Sequence, residues 1–196
     1  MLNRVLKNTK IYTRTGDKGT TTLFTGQRIS KHHPIFEVLG NVDLLSSSMG
    51  IAREQATSIP NLPEQILYIQ SRLQDLNAHI ATPRTDKTPP KVLSRTTFTY
   101  DNVELLENWI DEMYKDLKPL TKFILPSGGI ATTQLHLSRA FCRTAERRCV
   151  ELFELDTNYD DAAKKFLNRL SDYLFTAARF ATIKNGNFDE EYVAKK

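Results

Sequence analysis

The stretch Q-L-H-L-S-R-A-F-C-R-T-A-E-R-R-C-V, residues 134–150, contains neither glycine nor proline, and its charges recur every three to four residues. At about 100° per residue, Arg139, Arg143, Glu146 and Arg147 fall on one side, and Phe141, Ala145 and Leu152 fall opposite. The spacing predicts a helix over about 132–155 with Phe141, Ala145 and Leu152 toward the core. Its cationic side has two readings, a solvated face or a face turned toward an anion. Arg143 and Arg147 stand at i,i+4, a mildly repulsive like-charge pair unless an anion or carboxylate lies nearby.

Outward from this segment the chain reads as further helices. Residues 34–56 carry Phe36, Leu39, Val42, Leu45 and Met49 at helical spacing, and residues 62–81 carry Ile66, Ile69, Leu73, Leu76 and Ile80. Residues 83–99 hold three prolines among Thr, Lys and Arg and predict a loop. Asp101 is placed to cap a third helix through Leu105, Trp109 and Met113, ending near Pro119. The run F-I-L-P-S-G-G at 123–129 breaks the helical pattern, and a last helix runs over about 160–185 with Gly186 as its stop. With little strand signal, the expected fold is all-α, a five-helix antiparallel bundle. The domain expected is a single one over 1–196, with residues 1–31 as a glycine- and threonine-rich N-terminal segment.

That segment reads T-R-T-G-D-K-G-T-T-T-L-F-T-G-Q-R-I-S-K over residues 13–31, with six threonines, three glycines, four cations and a single acid, Asp17. Backbone amides, hydroxyls and cations are the donors a polyphosphate needs. Ordinary turn chemistry in a basic surface hairpin remains the competing reading. The P-loop pattern G-x-x-x-x-G-K-[ST] is absent, so a nucleotide would be held by another design. On the last helix Asn168, Ser171, Asp172, Phe175 and Arg179 share one face and Leu167, Leu170, Leu174 and Ala177 the other. The polar face serves either a ligand or hydrogen bonding between helices.

The chain has 196 residues, 40% hydrophobic and 26% charged, with a net charge of +4. Basic and acidic residues alternate, without the clustered basic face and interleaved aromatics of a nucleic-acid binder, so an anionic small molecule is the expected partner. No uninterrupted apolar run approaches the ~18 residues of a membrane span. Cys142 and Cys149 are expected to be reduced packing residues, because one helix holds them too far apart to bond. His32, His33, His79 and His136 have no metal-ligand spacing and take structural or surface roles. The acid-free opening M-L-N-R-V-L-K-N-T-K lacks the apolar core of a secretory signal. The expected location is soluble and cytoplasmic, or the mitochondrial matrix for a eukaryotic source.

T-R-T-G-D-K-G-T-T at 13–21, F-I-L-P-S-G-G at 123–129, R-A-F-C-R-T-A-E-R-R at 139–148 and F-L-N-R-L-S-D-Y-L-F at 166–175 together resemble ATP:cob(I)alamin adenosyltransferases of the PduO type, in the family's order and spacing. The resemblance implies a homotrimer with active sites between subunits. It implies that Thr13, Arg14, Thr15, Gly16, Thr21, Thr22 and Lys31 bind the triphosphate of ATP, with Arg143, Glu146 and Arg147, and with Asn168 from the last helix. The reaction implied is transfer of the 5′-deoxyadenosyl group of ATP to the cobalt of cob(I)alamin, giving adenosylcobalamin (a form of vitamin B12) and triphosphate. Phe123 matches the residue that keeps the lower ligand off cobalt, and Asp43 and Arg139 match an intersubunit salt bridge shaping the corrinoid site. Mg²⁺ is expected with ATP, and no protein metal site. An electron donor and a B12-dependent client enzyme are the further partners such an enzyme would meet.

Two positions depart from the family pattern. Leu44 stands where D-E-L-N or D-E-L-S often has an acid, and Thr144 stands where C-R-R-A-E-R has a second arginine. Thr144 lies about 100° from Arg143 and is read as peripheral to the phosphates. A second reading is therefore kept, a trimeric ATP- and corrinoid-binding carrier with little or no catalysis.

Overall fold

The computed structural model describes residue 12 and residues 14–195. Helix α1 (Pro34–Gln55) starts on a proline, whose fixed φ suits a first helical turn, and the His33 side chain accepts from the Ile35 amide at 3.3 Å. Helix α2 is Leu62–Ile80, α3 Pro90–Arg95, α4 Asp101–Tyr114, α5 Ile130–Leu155 and α6 Asp161–Lys184. The short connections between α1 and α2 and between α5 and α6 fold each pair back on itself. Packing runs in the order α2, α1, α5, α6, α4.

The buried positions explain this order. Val38, Val42, Leu45, Met49 and Ala52 on α1 alternate steps of four and three. So do Leu62, Ile66, Ile69, Leu73, Leu76 and Ile80 on α2. On α5 the same rhythm runs through Ala131, Leu135, Ser138, Cys142, Ala145, Cys149 and Leu152. A seven-residue apolar repeat keeps one seam facing a neighbouring helix, the geometry of left-handed bundles. Small residues in the α5 seam let its neighbours approach closely, and Ser48 donates to Ser138 at 2.9 Å across the α1–α5 contact.

Several expectations shift. The α1 stripe begins at Ile35 and Val38, leaving Phe36 and Leu39 only partly covered. On α5 the core is centred on Cys142 and Cys149, both free and buried, and Phe141 packs at its margin. Helix α6 is buried on two sides because it lies between α5 and α4. Ser171 and Arg179, on the face read as serving either a ligand or hydrogen bonding between helices, are therefore inside, and Arg179 takes a hydrogen-bonding role. Residues 83–99 are not wholly loop, since Pro90 opens α3. Tyr100, not Asp101, precedes the first turn of α4, and Asp101 and Glu104 lie within that turn, where acids oppose the helix dipole favourably. An 18-residue window of helix α1 averages a hydropathy of 1.2, long and apolar enough by composition to cross a membrane, yet the helix's apolar stripe is taken up by α2 and α5.

Four short strands complete the chain: β1 (Thr20–Thr22) pairs with β2 (Arg28–Ser30), and β3 (Ile124–Leu125) with β4 (Glu190–Glu191), both antiparallel. The β1–β2 hairpin docks on the end of α2, where the Phe24 amide donates to the Ala81 carbonyl at 3.0 Å and Leu23 enters the core. The long connection to α4 is tied down at His79, which is fully buried. Its Nδ1 lies 2.8 Å from the Thr96 carbonyl, and its Nε2 accepts from the Asp160 amide at 3.1 Å. Asp160 in turn accepts from Arg84 at 3.2 Å and from the Phe98 amide at 2.9 Å. Gly128 and Gly129 turn the chain into α5 with φ of 93° and 115°. A Cβ on Gly128 would stand 2.5 Å from Thr182 Oγ1, so only glycine fits that approach.

Candidate functional site

Three groups of residues carry the chemistry. The first is the N-terminal hairpin. Arg28, a residue not singled out from the sequence, ties its base together. Its Nη2 donates to the Thr15 carbonyl and, at 2.7 Å, to Thr20 Oγ1. The Lys31 amide donates to the Gly19 carbonyl at 2.9 Å, and the Lys31 ammonium lies over Gly16, where a Cβ would meet it at 3.2 Å. Arg14 sits in the left-handed region with φ of 57°, its guanidinium 5.8 Å from the Tyr12 ring centre. Thr15, Gly16, Thr21, Thr22 and Lys31 thus lie on one short, cation-rich hairpin. Thr13 lies outside the described residues.

The second group is the exposed side of α5 with the start of α6. Asn168 Nδ2 donates to Glu146 Oε1 at 2.7 Å, which fixes both side chains. Arg147 donates to Thr144 Oγ1 at 3.2 Å, so Thr144 touches the edge of the cationic face. Arg143 is exposed and has no hydrogen-bond or ion-pair partner among the described residues. Arg143 and Arg147 stand one turn apart, with Glu146 engaged by Asn168 and Glu151 by Arg148, which leaves a surplus of positive charge that an anion would neutralise. No hydrogen bond or ion pair among the described residues joins this group to Arg14, Thr21, Thr22 or Lys31.

The third group surrounds Phe123. A cleft of about 570 Å³ is lined by Leu120, Lys122, Phe123, Ile124, Arg139 and Phe175, with Thr121 beside them. Phe123 is 84% exposed, which excludes an ordinary core phenylalanine in the turn before Pro126. The Arg139 guanidinium stacks 5.3 Å from the centre of the Phe175 ring, and the His136 ring packs on the same phenylalanine at 6.0 Å. Burial, and then the neighbouring Arg139, lowers the His136 pKa, against an upward pull from Asp189. Leu120, Thr121 and Lys122 are the residues of this cleft that the sequence did not mark, and Phe175 was marked only as part of the polar face of α6. The signal for Phe175 was present, an apolar ring on an otherwise polar face of α6. Asp43 lies on the exposed side of α1, and among the described residues it makes no ion pair with Arg139.

Among the described residues no cluster of three or more His, Cys, Asp or Glu could hold a metal ion. The buried thiols are not nucleophiles, since burial raises both pKa values, that of Cys149 to about 12.

The helical bundle thus carries three chemical surfaces, a hydroxyl-rich cationic hairpin, an arginine face and an open cleft with an exposed phenylalanine. The family profile for cobalamin adenosyltransferase matches residues 11–181, and the chain belongs to that family. It is 46% identical over 185 residues to the corrinoid adenosyltransferase MMAB of Homo sapiens, covering 94% of this chain and 73% of that protein. It is 37% identical over 188 residues to the corrinoid adenosyltransferase of Bacillus subtilis, covering 93% and 92%. Among solved structures, a PduO-type adenosyltransferase of Lactobacillus reuteri, an arginine-to-lysine variant complexed with ATP, superposes with a TM-score of 0.85 at 33% identity, over 94% of this chain and 100% of that one. A phenylalanine-to-alanine variant of the Lactobacillus reuteri enzyme, complexed with cobalamin and ATP, superposes with a TM-score of 0.86 at 32% identity, over 93% and 99%.

Proposed function

We propose that this chain is an ATP:corrinoid adenosyltransferase that transfers the 5′-deoxyadenosyl group of ATP to the cobalt of cob(I)alamin and releases triphosphate. The observation that carries the reading is Phe123, a large apolar side chain left in solvent at the mouth of a cleft whose other walls are Phe175 and Arg139. An exposed apolar surface of this kind calls for an apolar ligand face, and a corrin ring supplies one.

In this reading the hairpin residues Arg14, Thr15, Gly16, Thr21, Thr22 and Lys31, with Thr13, hold the triphosphate from one side. Arg143, Arg147 and the locked Glu146–Asn168 pair hold ATP from the other. Among the described residues Arg14, Thr21, Thr22 and Lys31 make no hydrogen bond or ion pair to the α5–α6 group, which supports a site completed by a second copy in a homotrimer. Asp43 then pairs with Arg139 across that boundary. Co(I) attacks the ribose C5′ with its electron pair, the C5′–O bond breaks, and the electrons leave on triphosphate. None of the residues named must act as a general base. Their work is to position the two substrates, to exclude water and competing ligands from cobalt, and to stabilise charge on the leaving group.

Magnesium fits this site as a companion of the triphosphate. The hairpin offers threonine hydroxyls and one acid, Asp17, and no carboxylate cluster, so most of its octahedral shell would be phosphate and water. Cobalt reaches the reactive Co(I) state through an external electron donor, and the product would pass to a B12-dependent client enzyme. Free buried Cys142 and Cys149 are consistent with a reducing compartment, cytoplasm or mitochondrial matrix. The test is an anaerobic assay with ATP and cobalamin reduced to Co(I), following the absorbance of the Co–C product. Formation of that product with stoichiometric triphosphate is expected, and ATP binding without product would overturn the assignment.

A further inference from the structure

After α6 the chain does not leave the bundle but turns back across its end. Gly186, at φ 73°, makes the reversal, and the Asn187 amide donates to the Thr182 carbonyl at 3.0 Å. Asn187 Nδ2 donates to the Gly128 carbonyl at 3.0 Å, touching the turn that follows Phe123. Asp189 Oδ2 accepts from Arg179 Nε at 2.8 Å, and Arg179 Nη2 donates to the Lys118 carbonyl at 2.8 Å, in the segment that precedes Phe123. Glu191 pairs with Lys122 at 2.5 Å, and β4 pairs with β3, setting Glu191 opposite Ile124. Last, the Tyr192 amide donates to the carbonyl of Phe123 itself at 2.8 Å.

These contacts matter because of what the loop otherwise lacks. Residues 120–124 form a thin wall between two cavities. On one side is the cleft of Phe123, Arg139 and Phe175. On the other is a cavity of about 460 Å³ whose far wall is Arg179, Ile183, Phe188 and Asp189. Residues 120–123 are all exposed, so burial does little to hold them. A segment with few buried apolar contacts is held by its hydrogen bonds or moves. The Arg179 side chain is only 3% exposed, so its charge must be paired, and Asp189 of the returning tail is the group that pairs it.

We infer that the C-terminal strap, through Asp189 and the Tyr192 amide, positions Phe123 for the corrinoid step. The strap touches neither substrate; Asp189, Arg179 and Tyr192 are positioning residues. The inference rests on the reading of Phe123 given under Proposed function.

The test uses Tyr192→Pro in the full chain, which deletes the amide that donates to the Phe123 carbonyl and leaves the Arg179–Asp189 pair in place. The Tyr192 side chain is 51% exposed, so little packing is lost. Asp189→Asn is the second variant, weakening the pair at nearly constant shape. Hydrogen exchange of the amides of residues 118–125 is compared with wild type, and the Co(II) spectrum is recorded with ATP bound. Exchange about five- to tenfold faster is expected, the size of one lost hydrogen bond. The four-coordinate Co(II) fraction should fall, while pre-formed Co(I) is still alkylated and the ATP Kd is unchanged. Unchanged exchange in both variants would overturn the strap as the element that holds the loop. Faster exchange with an undiminished four-coordinate fraction would overturn its positioning role. A wild type with no four-coordinate Co(II) would overturn the Phe123 reading itself, and that outcome is read without any variant.

Discussion

Truncating Phe123 to alanine separates a catalytic surface residue from a packing residue, because the structure sets the two effects far apart. A phenylalanine offers ~200 Å² of surface, and at 84% exposure about a sixth of it, ~30 Å², is buried in the free protein. At 25 cal/mol per Å² its loss destabilises the fold by about 0.8 kcal/mol, or ~2–3 °C in Tm for a chain of this size. If a corrin ring covers the exposed remainder, the same coefficient gives a ceiling of ~4 kcal/mol for the liganded state, close to a thousandfold. That loss should fall on the step needing an apolar face against cobalt. Under anaerobic conditions Phe123→Ala is expected to fail mainly when the assay starts from Co(II) plus reductant, and to retain appreciable turnover from pre-formed Co(I). Optical spectra with ATP should show five-coordinate Co(II) replacing the four-coordinate species. A Tm drop beyond ~6 °C with equal loss from both starting states would refute the reasoning, because it would mean that Phe123 is packed.

Arg143→Ala should raise the apparent KM for ATP by about 10- to 150-fold, equivalent to ~1.5–3 kcal/mol for a charge-assisted contact, with no change in Tm since the side chain is exposed. Thr144→Ala removes a γ-methyl and a hydroxyl that accepts from Arg147 and donates to the Ala140 carbonyl, both at 3.2 Å, and should change KM by less than about tenfold; an equal loss at both positions would mean that the helix is rotated from this reading. Asp43→Asn and Arg139→Ala should each lower corrinoid use, with a double mutant no worse than the worse single, and strict additivity would mean that the two never meet. Acid should destabilise the fold through His79. Burial holds its pKa below the ordinary value, so the folded chain resists a proton that the unfolded chain accepts. Its contribution is intact above about pH 6.5 and is lost as pH falls below it, at up to about 1.4 kcal/mol per pH unit for one proton. Urea titrations at a series of pH values should show that slope in wild type and a flatter one in His79→Gln.

The bundle was legible in the sequence because its seams repeat every seven residues, and α2 matches the expected stripe residue for residue. Where the reading slipped, tertiary context overrode local pattern. Phe36 and Leu39 look as apolar as Ile35 and Val38, and only the direction of the neighbouring helix decides which pair is covered. Pro89 and Pro90 read as a loop, although proline at a first helical position is compatible with the turn of α3. On the polar face of α6 two readings had stayed open, and only contacts outside the helix decide between them. Arg179 is buried because Asp189 and the Lys118 carbonyl satisfy it, and both partners lie outside the helix. A periodicity argument confined to one helix cannot see partners delivered from elsewhere.

The same distinction runs through the site. Arg143, Glu146, Arg147 and Asn168 could be grouped from the sequence because one helix, or two adjacent ones, places them by a fixed rotation per residue. The cleft could not be grouped in this way. Phe123, Arg139 and Phe175 come from a loop, from α5 and from α6, and their meeting depends on where the 115–129 connection is held. Its apolar run F-I-L resembles a core segment, yet Phe123 is left in solvent. What holds it there is a tail of acids and amides with no period of its own, since the contacts are made by the Tyr192 amide and the β3–β4 ladder as much as by side chains. Backbone hydrogen bonds carry no sequence signature. The cleft proposed for the corrinoid was therefore the part least readable from the sequence, and the arginine face proposed for ATP was the most readable.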